Sequence, residues 1–85
     1  MPDALTDQER RILDFEAVWV RHAGAKEEAI RAQLDLTPAR YYQLLGRLIE
    51  TQAALEQEPM LVRRLRRLRD SRAAERAARQ RAVGR

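Results

Sequence analysis

Three interior residues restrict where helices can run in this chain, and they divide it into segments that each carry a helical pattern. Gly24 permits an irregular backbone, and Pro38 and Pro59 are tolerated in a helix only at its first turn. Between these points apolar residues recur at steps of three and four, the spacing of one helix face. The sequence therefore predicts an all-α fold: a small three- to four-helix domain with a basic C-terminal helix or tail.

The first predicted helix begins at Thr6. Glu9 follows three residues later, the spacing of a capping box in which each side chain accepts a hydrogen bond from the other residue's backbone N–H. The apolar stripe of this helix consists of Ile12, Phe15, Val18 and Trp19. We expect that stripe to face a core and the helix to end near Gly24.

A second and a third helix are predicted on either side of a short connection. The second runs from about Lys26 to Leu34, with acidic residues in its first turn. Thr37 is a good N-cap and Pro38 a good first helical residue, so the third helix starts there and runs to about Thr51.

This succession is typical of a helix-turn-helix, which we place at about residues 26–50. In that motif the second helix lies in the DNA major groove. Asp35 stands where glycine is common in the turn, and it adopts a positive φ less easily than glycine. Arg31 also stands where a small residue is common, so a generic helical hairpin remains the alternative.

Pro59 opens the last predicted helix. Leu61, Leu65 and Leu68 form a stripe suited to docking on the rest of the domain. Beyond Leu68 the chain offers alanine and arginine with nothing large to bury, so we expect this part to be frayed when free and helical when bound. The predicted division is a helical domain at 1–58 and an arginine-rich helix and tail at 59–85.

Charge is distributed unevenly between these two parts. Residues 59–85 contain ten arginines and two carboxylates, a net charge of +8, whereas residues 1–58 carry seven basic and eleven acidic side chains, a net charge of −4. Dense arginine indicates a partner with many negative charges in a row, usually nucleic acid, because guanidinium groups bind phosphate with two parallel hydrogen bonds. Arginine in place of lysine is also what a GC-rich genome would produce, but the charge is the same in either case. We therefore predict a protein that binds double-stranded DNA, as a transcriptional regulator or as a nucleoid-associated protein.

The predicted contacts with DNA form two sets. On the third helix Gln43 is suited to adenine, Arg40 and Arg47 to guanine or phosphate, and Tyr42 to a phosphate or a thymine methyl group. Thr37 and the first N–H groups after it are a candidate phosphate clamp. The second set projects from the last helix: Arg63, Arg64, Arg66, Arg67, Arg69 and Arg72. The alternative for both sets is a solvated helix face, with Tyr42 a half-buried boundary residue.

Three strings, AGAKEEAIR, TPARYYQLLGRLI and EPMLVRRLRRLRDSR, resemble an uncharacterised family of small actinobacterial proteins, a domain of unknown function. The resemblance covers most of the chain. It implies a helix-turn-helix-like protein with an arginine-rich C-terminus that binds DNA, with nucleoid association as one role. The chain departs from the expected pattern at Val20, where a second Trp is expected, and at Gly46, where Asn is expected. If that Asn reads a base, its absence weakens sequence-specific recognition.

Other chemistry finds little support in the residues. The chain has no cysteine, and its single histidine, His22, is expected to have a capping or core role. The sequence shows no nucleophile and base pair, ligand loop or glycine-rich phosphate cradle, so we predict no enzyme, metal or cofactor. The first ten residues lack the features of a secretion signal, and no apolar run is long enough to span a membrane. We expect a cytoplasmic protein, located at the nucleoid.

Two other classes of function stay open. One is a protein-interaction adaptor whose last helix binds an acidic surface of the transcription machinery. The other is an RNA- or ribosome-associated protein, since arginine-rich segments often fold on RNA. The sequence also leaves open a homodimer, which would present two third helices one turn of DNA apart.

Overall fold

The computed structural model describes residues 4–19 and 24–83, and all regular structure within them is helical. Its five helices are α1 (Asp7–Trp19), α2 (Lys26–Leu34), α3 (Pro38–Leu48), α4 (Gln52–Gln57) and α5 (Pro59–Val83). The all-α class is confirmed, while the predicted number of three to four helices is too low because α4 was missed. Residues 20–23 lie outside the described residues. The predictions made for Val20 and His22, and for the end of the first helix just before Gly24, fall on this segment.

Side-chain caps set the starts of α1 and α3 as the sequence predicts. The N–H of Glu9 donates to Thr6 Oγ1 at 3.1 Å, and the N–H of Thr6 donates to Glu9 Oε1 at 2.8 Å. At α3 the N–H of Arg40 donates to Thr37 Oγ1 at 3.1 Å, and Pro38 follows the cap directly. These bonds satisfy amide donors that the first helical turn leaves without a partner.

A further cap ends α3 earlier than predicted. Thr51 has an extended backbone, and its hydroxyl accepts a hydrogen bond from the N–H of Ala54 at 3.1 Å, which starts α4. The same hydroxyl donates to the carbonyl of Leu48 at 2.8 Å and so closes the last turn of α3. The threonine at which the sequence predicts the end of the third helix is therefore the junction between two helices.

The connection between α2 and α3 depends on one residue in the left-handed region. Asp35 has φ 54° and ψ 41°, and its N–H donates to the carbonyl of Arg31 at 3.2 Å. Aspartate is among the few residues other than glycine that enter this region at modest cost. Asp35 thus has a positive φ although it is not glycine, and this lets α3 turn back against α2 within residues 35–37.

The core lies between α1, α2 and α3 and continues under α4 and the start of α5. Its buried apolar residues are Ile12, Leu13, Phe15, Ala29, Ile30, Tyr41, Leu45, Leu48, Ile49, Ala54 and Val62. Val18 was predicted to be buried, but it is 66% exposed. Successive residues are about 100° apart around a helix, so the buried arc through Ile12, Leu13 and Glu16 leaves Val18 on the far side. Trp19 packs half-buried at the edge of the core.

The long helix α5 docks through its first part alone. Val62 is fully buried, Leu61 and Leu65 are half-buried, and Leu68 is 40% exposed. The main packing partner of α5 is α4. The helix then continues to Val83 instead of fraying after Leu68, and all of residues 70–83 are exposed except the half-buried Ala77. We call residues 70–83 the α5 extension.

None of the helices within the described part of the chain is long and apolar enough to cross a membrane.

Candidate nucleic-acid interface

A buried polar cluster joins α3 to α1 and α2. Glu16 on α1 is 3% exposed, and its Oε1 lies 2.8 Å from Nζ of Lys26 at the start of α2. The hydroxyl of Tyr41 on α3 donates a short hydrogen bond to the same carboxylate oxygen. A buried carboxylate needs such partners, because burying an unpaired charge costs several kcal/mol. The cluster therefore ties α3 to both helices beneath it.

The surroundings of Tyr41 strengthen this attachment. Its ring packs edge-on against Phe15 with centroids 5.5 Å apart, and the Lys26 ammonium lies 5.7 Å from its centroid. Burial, followed by the hydrogen bond to Glu16, raises the pKa of the Tyr41 hydroxyl far above its usual range. Tyr41 thus stays protonated and continues to donate at any physiological pH.

Sequence analysis assigned no role to Glu16. The available signal was position: Glu16 is four residues after Ile12 and directly follows Phe15, so it falls inside the buried arc of α1. An acidic residue inside an apolar arc indicates a buried partner, although it does not say which cation supplies it.

The opposite face of α3 is exposed and carries three of the predicted base contacts. Arg40, Gln43 and Arg47 are all exposed. Arg40 Nη1 donates to Gln43 Oε1 at 2.6 Å, so these two side chains form one unit. A bidentate contact with adenine uses both the oxygen and the nitrogen of the glutamine amide, so in that contact Gln43 must exchange its bond with Arg40 for one with the base.

The predicted phosphate clamp at Thr37 has fewer donors than the sequence suggests. The N–H of Arg40 is already bonded to Thr37 Oγ1, and Pro38 has no N–H. The N–H of Ala39 and the hydroxyl hydrogen of Thr37 are what this end of α3 offers to a phosphate. Thr37 acts first as the N-cap of α3.

Six arginines of α5 were predicted to project as phosphate contacts, and the structure separates them. Arg66 Nε donates to the carbonyl of Ile49 at 2.6 Å, which anchors α5 at the C-terminal end of α3. Arg69 forms ion pairs with Glu50 and, at 3.0 Å, with Asp70. These two side chains are committed within the protein. The other four are exposed: Arg63, Arg64, Arg67 and Arg72.

A groove of about 470 Å³ runs between α3 and α5. Tyr42 and Gly46 lie on its α3 side, and Arg69, Arg72 and Arg76 lie on its α5 side. The structure thus brings Tyr42 together with two of the predicted arginines and adds Arg76, which the predicted set did not include. Its lining does not include Arg40, Gln43 and Arg47, nor Arg63, Arg64 and Arg67.

These features define a class of small all-helical protein in which three helices enclose a buried ionic cluster and a long arginine-rich helix lies beside the third. The chain belongs to the family described as "Protein of unknown function (DUF3263)", whose model matches residues 4–77. The match includes α1 to α4, which we call the body, and most of α5. The body and the arginine-rich helix are therefore parts of one family pattern. Membership in a family of unknown function is confirmed. No curated protein and no solved structure is significantly similar to the chain.

Proposed function

We propose that this protein binds double-stranded DNA through the exposed face of α3, with arginines of α5 on the phosphates. The observation that carries the proposal is the division of α3 into two faces. One face is anchored by Tyr41, Leu45 and Leu48 in the core, and the other presents Arg40, Gln43 and Arg47 to solvent. A rigidly held helix with an exposed face of arginine and glutamine matches a recognition helix in the major groove.

In this proposal α2, residues 35–37 and α3 act as a helix-turn-helix. Three features support it: the nine-residue α2, the left-handed turn at Asp35 and the capped start of α3 at Thr37. Both helices also pack against α1, as the first helix of such a domain requires. The buried Glu16 then serves recognition indirectly, because it fixes the helix that reads DNA.

The exposed arginines of α5 supply most of the affinity in this proposal. Seven exposed arginines of α5 have no carboxylate partner among the described residues: Arg63, Arg64, Arg67, Arg72, Arg76, Arg79 and Arg81. If five to eight basic side chains neutralise phosphates, the logarithm of the affinity falls with the logarithm of salt concentration at a slope of about −4 to −7. Such binding is strong at low salt and depends little on sequence.

Sequence-tolerant binding suits a nucleoid-associated role in the cytoplasm better than a regulator of a single site. The resemblance to small actinobacterial proteins supports this part of the proposal, as does Gly46, which stands on α3 where that family is expected to have Asn. An exposed glycine cannot contribute a base contact from a side chain.

The test is fluorescence anisotropy of the full chain with a labelled random DNA duplex at two salt concentrations. We expect salt-sensitive binding that weakens when Gln43 and Arg47 are both replaced by alanine, and a shallower salt slope when Arg72, Arg76, Arg79 and Arg81 are replaced by glutamine. Arg10→Gln on the exposed part of α1 is the matched control. Absence of binding at low salt would overturn the proposal, and a preference for an RNA hairpin over the duplex would replace DNA by RNA.

A further inference from the structure

The groove between α3 and α5 has the shape of a docking site for a helix of a partner. Each wall is one face of a helix, with residues at steps of three and four. The α3 wall consists of Tyr42, Leu45, Gly46 and Ile49, and the α5 wall consists of Leu65, Leu68, Arg69, Arg72 and Arg76. Rows of side chains from two helices that line one channel are an arrangement into which the apolar ridge of an amphipathic helix fits.

The groove exposes apolar surface that the protein itself does not cover. Tyr42 is 47% exposed on the α3 wall and Leu68 is 40% exposed on the α5 wall. Leu45 and Ile49 are the buried residues of the α3 wall, and we call them the floor of the groove. Two large apolar side chains facing each other across a channel differ from single exposed ones, because a partner can bury both at once. A phosphate group has no apolar surface that could pack on this floor.

Gly46 lies on the α3 wall, next to the floor. A glycine in the middle of a helix costs about 1 kcal/mol relative to alanine. No packing in the free protein explains it, because a Cβ built at Gly46 meets nothing within 4 Å. The absence of a large side chain at this position keeps the channel open.

The charges at the rim specify the partner. Arg72 and Arg76 line the groove, are exposed and have no carboxylate partner among the described residues. Arg69 is neutralised by Glu50 and Asp70, and Glu16 at the base is neutralised by Lys26. The uncompensated charge is therefore positive and confined to the α5 wall.

We infer that this groove binds an acidic amphipathic helix of another protein. The apolar stripe of that helix lies on Tyr42 and Leu68, and carboxylates along one edge pair with Arg72 and Arg76. Charge complementarity and the apolar floor together exclude a basic helix and favour an acidic one. The inference goes beyond DNA binding and does not rest on it: the two ligands share Arg72 and Arg76, but peptide binding is measured in the absence of DNA.

The experiment is a selection from a displayed library of random peptides of about 18 residues, long enough for five helical turns, against the full chain. We expect enrichment of peptides with apolar residues at helical spacing and acidic residues beside them. Binding of the enriched peptides is then measured by anisotropy on four variants. Gly46→Leu fills the groove and Gly46→Ala is its matched control; the double charge reversal of Arg72 and Arg76 to glutamate is matched by the same reversal of Arg79 and Arg81, which lie outside the groove.

Peptide affinity should fall roughly tenfold or more in Gly46→Leu and in the Arg72 and Arg76 reversal, and change less than about twofold in the two controls. Circular dichroism checks that each variant is folded. The inference is overturned if no acidic amphipathic peptide is enriched, or if enriched peptides bind Gly46→Leu as tightly as the native chain. A dimer that Gly46→Leu dissociates would also overturn it, because the occupant would then be a second copy.

Discussion

The body of the protein and the α5 extension use charge in opposite ways. In the body a single carboxylate, Glu16, is buried and held by Lys26 and Tyr41, so its charge serves the arrangement of α1, α2 and α3. In the α5 extension arginines are exposed, no large buried side chain supports them, and their charge is available to a partner. A short chain thus separates the charge that determines its structure from the charge that serves association. Substitutions of Glu16, Lys26 or Tyr41 should therefore alter stability, and substitutions of the exposed arginines in the extension should alter binding.

The largest difference in the effect of a substitution on the free energy of unfolding is expected between one core leucine and one apolar residue of the extension. Leu13 is fully buried and Val83 is 84% exposed. Leu13→Ala should lower the free energy of unfolding by about 2–5 kcal/mol through lost burial and the cavity left behind. Val83→Ala should change it by less than about 0.5 kcal/mol. Urea denaturation followed by circular dichroism measures both, and similar losses would show that the extension is part of the cooperative fold.

The next contrast lies within the body, between two adjacent tyrosines on α3. Tyr41→Phe removes the hydroxyl that donates to the buried Glu16 and should cost about 1.5–3 kcal/mol, the range for hydrogen bonds to charged groups. Tyr42→Phe removes a hydroxyl from a half-exposed ring and should be close to neutral. Equal stability of the two variants in urea denaturation would mean that Glu16 is held by Lys26 alone.

Alkaline pH offers a second way to isolate Tyr41. Its pKa is raised in the folded protein by burial and by Glu16, so the unfolded chain loses this proton first, near pH 10. The stabilisation is complete below that pH and is lost as the pH rises above it, by about 1.4 kcal/mol per pH unit. Unfolding free energies between pH 9 and about 11 should therefore fall more steeply for the native chain than for Tyr41→Phe. Parallel curves would contradict this assignment.

A smaller loss of stability is expected from a substitution where α5 joins the body. Arg66→Ala removes the hydrogen bond to the carbonyl of Ile49 and should cost about 1 kcal/mol, below the range for fully buried charged bonds because Arg66 is half-exposed. Arg67→Ala, its exposed neighbour, should leave stability unchanged and instead weaken DNA binding. Thermal melts and anisotropy on both variants make the test. A loss of DNA affinity without loss of stability in Arg66→Ala would return this residue to the binding surface.

The smallest expected change is a gain in stability. Asp35→Gly replaces a residue held at φ 54° by one without a Cβ, and should raise the free energy of unfolding by about 0.5 kcal/mol after the greater chain entropy of glycine is counted. Asp35→Ala should lower it, because alanine is strained in this region and lacks the local hydrogen bonding of aspartate. The order Gly, Asp, Ala in melting temperature tests the left-handed turn. A reversed order would show that the Asp35 side chain has a role of its own.

Much of the fold could be predicted because its signals are local. The capping box at Thr6 and Glu9 and the start of α3 at Thr37 each depend on residues no more than four apart. The helix α4 was missed because six residues without a large apolar stripe give little periodicity. Its cap at Thr51 can be identified only once the end of α3 is known.

The candidate site was only partly predictable, because a pattern of exposed arginines does not show which ones the protein itself uses. Arg66 and Arg67 are adjacent and alike in sequence, yet Arg66 bonds to the end of α3 and Arg67 faces solvent. Arg69 is likewise committed to Glu50, which is nineteen residues away in the chain. The groove is lined by Tyr42 of α3 together with Arg72 and Arg76 of α5. The spacing of residues within one helix cannot predict which residues of another helix lie beside it.

The sequence by itself determined the helical class, the starts of the first three helices, the separation of charge and the family to which the chain belongs. These follow from propensities, caps and composition, which act over a few residues or over whole segments. Only the tertiary structure decided that Glu16 is buried, that Val18 is not, which arginines are free to bind and that α3 and α5 enclose a groove. Each of these depends on pairing between helices distant in the chain, where burial and geometry, rather than residue type, fix what a side chain does.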